Sequence, residues 1–128
     1  MTCFWKGILD CLVINDFARF NLQRKPDELG LVRCLKSRNR ICTDIICTNE
    51  NITKQFAEEC YEAVKCFDEK SINGGYLCST CDPFLILVSE LFEINIYHRY
   101  NCSDIRYINK KAKKTIYVTS NRGHFQKA

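Results

Sequence analysis

Apolar residues change their spacing once along this chain, near residue 93, and that change limits the fold more than any other feature. Before it they recur every three or four positions. Phe4, Trp5, Ile8, Leu9 and Leu12 share one face, so the spacing predicts a helix over about 4–14 with Cys3 at its first turn. Lys25-Pro26-Asp27-Glu28-Leu29 places proline and acids where helices begin, and Leu29, Val32 and Leu35 carry that helix to a stop before Ser37. Ile52, Phe56, Cys60, Ala63, Val64 and Phe67 mark the apolar face of a third helix. Asp82-Pro83 reads as a cap followed by proline at the first helical position, opening a helix so apolar through Phe92 that it belongs in the centre. After it the period becomes two, and Ile94 to His98, Ile105 to Ile108 and Thr115 to Thr119 read as strands. Helices first and strands last predict an α+β fold, with N-terminal helices packed on a small, mainly antiparallel C-terminal sheet. At 128 residues, with no repeat or low-complexity linker, residues 1–128 form one domain.

Ten cysteines are the outstanding feature of composition. Several lie inside apolar helical patterns, where a free thiol behaves as a small hydrophobe, so the expectation is reduced cysteines and a cytoplasmic, reducing compartment rather than a disulfide framework. Cys78-Ser79-Thr80-Cys81 has the spacing of a zinc half-site, with Cys42 and Cys47 or Cys60 and Cys66 as partners. A single convincing pair falls short of the two that zinc sites usually show, and no metal or other cofactor is expected. The longest apolar windows carry Asp10 or Glu90 and are too short to span a bilayer, and residues 1–20 lack the pattern of a secretory signal. No membrane partner is therefore expected.

Charge is unevenly placed. The net charge is +4, yet all 15 acids and only 12 of the 19 basic residues lie at or before Asp104, which leaves seven basic residues and no acid after it. Lys110-Lys111-Ala112-Lys113-Lys114 reads as a solvated turn between strands. No aromatic residue interrupts that run, which argues against a nucleic-acid site there, and no nucleic-acid partner is expected.

A cysteine nucleophile needs a lowered thiol pKa and a general base, and a helix N-terminus can supply the first. Cys3 stands at such a terminus. Of the two histidines, His98 ends an apolar strand and reads as a sheet residue, whereas His124, in Asn121-Arg122-Gly123-His124-Phe125-Gln126, follows a strand and a glycine. Cys3-Phe4-Trp5-Lys6-Gly7-Ile8 resembles the nucleophile segment of the ovarian tumour (OTU) cysteine proteases: cysteine, large apolar, aromatic, basic, small, aliphatic. Gly74-Gly75, Phe84-Leu85, Leu87-Val88, Leu91-Phe92, Ile94 to Tyr97, Ile105 to Asn109, Ile116 to Val118 and Gly123-His124-Phe125 resemble the C-terminal half of that family in order and spacing. The resemblance covers residues 3–15 and 72–126.

What the resemblance implies is a papain-like, OTU-type fold and a thiol hydrolase acting on ubiquitin or a ubiquitin-like protein. Cys3 would attack the carbonyl after a Gly-Gly tail, and His124 would take the thiol proton and return it to the leaving amine. The third member is Gln126, two positions after the histidine where the family carries aspartate or asparagine, with Asn121 behind it. For the substrate channel the implied residues are Trp5 as a wall, weighed against a core role, and Gly74 with Gly75 as an edging loop. The family's aspartate three positions before the cysteine has no counterpart; either residues upstream of Met1 or another segment would have to complete the oxyanion hole. The compact length and divergent motif point to a virus or another intracellular parasite, with host cytosol as the setting and a monomer as the working form. Two other functions fit the same residues: a papain-like protease that cuts its own polyprotein, and a non-catalytic zinc- or thiol-rich interaction module.

Overall fold

The computed structural model of the chain describes residues 3–74, 82–121 and 124–128, apart from the side chains of Cys3, Asn73 and Asp82. Helices α1 (Cys3–Cys11), α2 (Ile14–Ala18) and α3 (Glu28–Ser37) come first, followed by a short hairpin of β1 (Ile45–Cys47) and β2 (Glu50–Asn51). Helix α4 (Lys54–Lys65), a 3-10 turn (Glu69–Gly74) and α5 (Asp82–Phe92) lead into β3 (Ile94–Tyr100), β4 (Ser103–Asn109), β5 (Lys114–Asn121) and β6 (His124–Lys127). The predicted α+β class is what the chain adopts.

Each helix stops or starts for a local reason. The helix expected over 4–14 ends at Cys11, because Asp16 turns back and its carboxylate accepts the Val13 amide at 2.7 Å, which caps a separate helix α2. Asp27 caps α3 through the Gly30 amide at 2.8 Å, and Thr53 caps α4 through the Phe56 amide at 3.1 Å. The buried residues of α4 are Ala57, Cys60 and Val64, while Ala63 is exposed, so the apolar stripe is rotated from the one the sequence predicted. Helix α5 is buried from Phe84 to Ser89 and again at Leu91 and Phe92, as its all-round apolarity requires.

The six strands form one sheet in the order β2-β1-β4-β3-β5-β6. All neighbours are antiparallel except β3 and β5, which run parallel from Ile94↔Lys114 to Tyr100↔Ser120. That parallel pair arises because the lysine-rich turn after β4 passes the start of β3 and opens β5 on its far side. Glu93, at φ 54°, turns the chain from α5 into β3, and its carbonyl accepts the Lys113 amide at 2.9 Å. Its carboxylate meets Arg19 at 3.0 Å and Lys113 at 3.5 Å, while Lys114 pairs with Asp16 at 2.7 Å. Two of the turn's lysines are therefore tied to acids from the helical half. Asn109, 6% exposed, completes the junction by donating to the Ser89 carbonyl at 2.9 Å.

Along β3 the residues Ile94, Ile96 and His98 are buried and their neighbours are not, so the helices cover one face of the sheet and leave the other open. On the covered face Ile96, Tyr107, Ile116, Val118 and Phe125 meet α1 and α5. Phe4, Trp5, Phe67 and Phe84 interlock there edge to face, with Trp5–Phe84 centroids 4.7 Å apart and Trp5–Phe67 5.5 Å. Each such pair adds about 0.5–1.5 kcal/mol beyond the area it buries.

Candidate active site

The two ends of the chain meet. Helix α1 packs on β6 with nothing between their backbones at Gly7: a Cβ built there would stand 2.7 Å from Phe125 Cδ1 and 3.3 Å from Gln126 Cα. Only glycine permits that approach. Phe125 is 5% exposed and seats its ring against Phe4, centroids 4.8 Å apart. Further along, Cys11 donates its S–H to the Tyr117 carbonyl at 3.8 Å, and the same carbonyl accepts the Ala128 amide at 2.9 Å. Gly7 thus lies level with Phe125 and Gln126, and Cys11 with the end of the strand, so α1 and β6 run in the same direction.

That register fixes where the start of α1 falls. Four helical residues back from Gly7 is about 6 Å, or about two strand residues, which carries the backbone of Cys3 to the level of His124. The Cys3 side chain lies outside the described residues.

His124 and Gln126 are two positions apart on β6 and share a face, opposite to Phe125. The imidazole Nε2 is 2.9 Å from the Gln126 Oε1. With Nε2–H donating to the amide oxygen, Nδ1 is left as the free base nitrogen. Asn121 is the cross-strand partner of His124 in the β5–β6 pairing, so the histidine and both residues proposed to orient it lie at one edge of the sheet. Both His124 and Gln126 are exposed. By strand alternation both side chains project from the face of the sheet opposite to Phe125, the residue that meets α1.

Other candidates are placed elsewhere. Trp5 is 0% exposed, inside the aromatic cluster, and cannot wall a solvent-accessible channel; the core role is the one it takes, because helical period turns it inward beside Ile8 and Leu9. Gly74 closes the 3-10 turn whose elements pack on α3, while Gly75, Cys78 and Cys81 lie outside the described residues. His98 is 1% exposed and shares a 2.6 Å hydrogen bond with Ser120 Oγ, as expected of a sheet residue.

Three of the other thiols are poor nucleophiles. Burial pushes the Cys42 thiol up to about 12, helped by Glu90, against a smaller pull from Arg40. Burial likewise raises Cys34 and Cys11, in the second case despite Lys127 nearby. A raised thiol pKa means less thiolate near neutrality, which removes these three from contention. Cys11, Cys34, Cys42, Cys66 and Cys102 are in no disulfide. Among the described residues no group of three or more metal-binding side chains comes together.

Sequence reasoning treated Gly7 only as the small residue of a motif and Phe125 as a neighbour of the histidine. Their contact is what brings helix and strand together; a glycine amid large apolar helical residues was the available signal for a close approach. No protein-family model matches the chain, and no curated protein or solved structure matches it. No helix among the described residues is long and apolar enough to cross a membrane.

Proposed function

We propose that the chain is an OTU-type cysteine protease that cleaves the bond following the Gly-Gly tail of ubiquitin or a ubiquitin-like protein. The observation that carries this reading is the His124–Gln126 hydrogen bond on the strand that α1 packs against, in a register that brings the start of α1 level with the histidine. Cys3 is the nucleophile, favoured as thiolate by the helix N-terminus. His124 Nδ1 takes the thiol proton, the sulfur attacks the scissile carbonyl, and the imidazolium then protonates the departing amine. Water attacks the thioester with His124 as base, which restores the thiol and releases the Gly-Gly carboxylate.

Gln126 positions the ring by accepting from Nε2–H. Its amide adds no charge and stabilises imidazolium less than a carboxylate would, so the site favours orientation over electrostatic support. Hydrolysis of a fluorogenic ubiquitin conjugate tests the reading. Cys3→Ala and His124→Ala should each lower kcat/KM by at least about a thousandfold, as loss of members of one catalytic unit does. Cleavage that survives Cys3→Ala would end the proposal.

A further inference from the structure

We infer that the open face of the sheet binds single-stranded nucleic acid, apart from any proteolysis. The register puts Tyr97 of β3 between Arg106 of β4 and Tyr117 of β5, and Arg99 of β3 between Asp104 and Thr119. These residues stand on the side away from the helices, around a groove of about 290 Å³ whose lining includes Tyr97, Arg99, Asp104, Arg106 and Tyr117, with Ala128 at its margin. Tyr117 is 53% exposed on a central strand, where a large ring open to water is unusual. Tyr97 meets it edge to face at 5.4 Å and carries the Arg106 guanidinium 5.1 Å from its own ring centre.

Charge names the occupant. Among the described residues, Arg19, Arg33, Lys113 and Lys114 are each ion-paired, whereas Arg99 and Arg106 are exposed and form no ion pair, even with Asp104, the cross-strand neighbour of Arg99. Two guanidiniums held in no ion pair, beside an exposed aromatic ring, suit a strand of nucleotides: phosphates pair with the arginines and a base stacks on Tyr117. A sheet face bearing exposed aromatic rings suits single strands, because duplexes keep their bases stacked on each other. The lysine run 110–114, set aside in the sequence for want of aromatic residues, is a different surface; here the aromatic and basic residues alternate across strands rather than along the chain.

Fluorescence anisotropy of a labelled single-stranded RNA, at about 50 mM and about 200 mM salt, tests this with the full chain. Binding is expected at the lower salt and weaker at the higher. Tyr117→Ala should weaken it about tenfold at both. Arg106→Ala and Arg99→Ala should each reduce the salt slope by about 0.7, while Asp104→Ala should tighten binding by removing a repelling charge. Lys65→Ala, on the exposed side of α4, should change affinity little. Circular dichroism and melting temperature establish that each variant is folded, and Tyr117→Phe, which keeps the ring, should retain affinity. A labelled mononucleotide should bind far more weakly than the oligomer. No RNA binding at the lower salt, equal binding by wild type and Tyr117→Ala, or equal affinity for mononucleotide and oligomer would each overturn the inference. So would a finding that Tyr117→Ala weakens binding of ubiquitin but not of RNA, which would make the face a protein-docking surface.

Discussion

His124 and Gln126 are joined by a 2.9 Å hydrogen bond between the ring Nε2 and the amide Oε1, along a strand that is the outermost of its sheet. Since both side chains are exposed, the bond does little for the fold and its value lies in orienting the ring. Gln126→Ala should therefore leave stability within about 0.5 kcal/mol while lowering kcat/KM about tenfold, the worth of one hydrogen bond. Gln126→Asp, which adds a charge beside the imidazolium, should restore most of the loss. Denaturant titration and steady-state kinetics on the three proteins check both parts.

Gly7→Ala sets two effects against each other. Alanine gains about 1 kcal/mol of helix propensity over glycine. Against it, the added carbon would lie 2.7 and 2.9 Å from the Phe125 ring and 3.3 Å from the Gln126 backbone, and overpacking of this kind costs about 1–3 kcal/mol. The backbone contact cannot relax by a side-chain rotation, so the variant should be less stable by urea titration. Activity should fall further than stability, because the shift separates α1 from β6.

Glu93 links the helical half to the sheet. What burial it has raises its pKa, but the hydrogen bond and charge of Arg19, and then Lys113, hold the carboxyl below its usual range. A lowered folded pKa gives stability that is present above the unfolded value and lost as pH falls through the folded one. Glu93→Gln should therefore be less stable than wild type at pH 7 and match it more closely once the pH is below both values. Urea midpoints across the acid range provide the comparison, and an unchanged difference at all pH values would contradict the assignment.

The thiols divide by environment. Cys66 and Cys102 are exposed, while Cys42 is 4% exposed with its thiol pushed up to about 12 by burial. A small alkylating reagent at pH 8 should modify Cys66 and Cys102 quickly and reach Cys42 only after denaturant is added. Peptide mass mapping of the native and unfolded protein reads the order.

Much of the fold could be read from residue spacing, and the failures share a cause. Helices α3, α4 and α5 and strands β3, β4 and β5 are long enough to show a period. Helix α2 and the β1–β2 hairpin are too short for one, and β6 has Phe125 as its only large apolar residue. The break after Cys11 depends on one carboxylate, Asp16, that also suits an ordinary helix surface. The parallel pairing of β3 with β5 follows from where a turn passes, which spacing cannot express. At the site, Gln126 was legible only through the family resemblance; that it lies beside His124 follows from β6 being a strand, which residue spacing did not reveal. The fitting of Gly7 against Phe125 was not legible, since it joins opposite ends of the chain. Trp5 shows the reverse difficulty: a motif drew it toward the substrate, while its helical phase placed it in the core.

The central claim is that Cys3 is a nucleophile served by His124. A ubiquitin probe with an electrophile at its C-terminus, incubated with the full chain and followed by intact mass and peptide mapping, tests it directly. The account predicts one covalent adduct, mapped to Cys3, absent in Cys3→Ala and strongly slowed in His124→Ala, with Cys66→Ala, Cys78→Ala and Cys102→Ala labelled as wild type. No adduct on the folded protein, or an adduct that persists in Cys3→Ala, would contradict it.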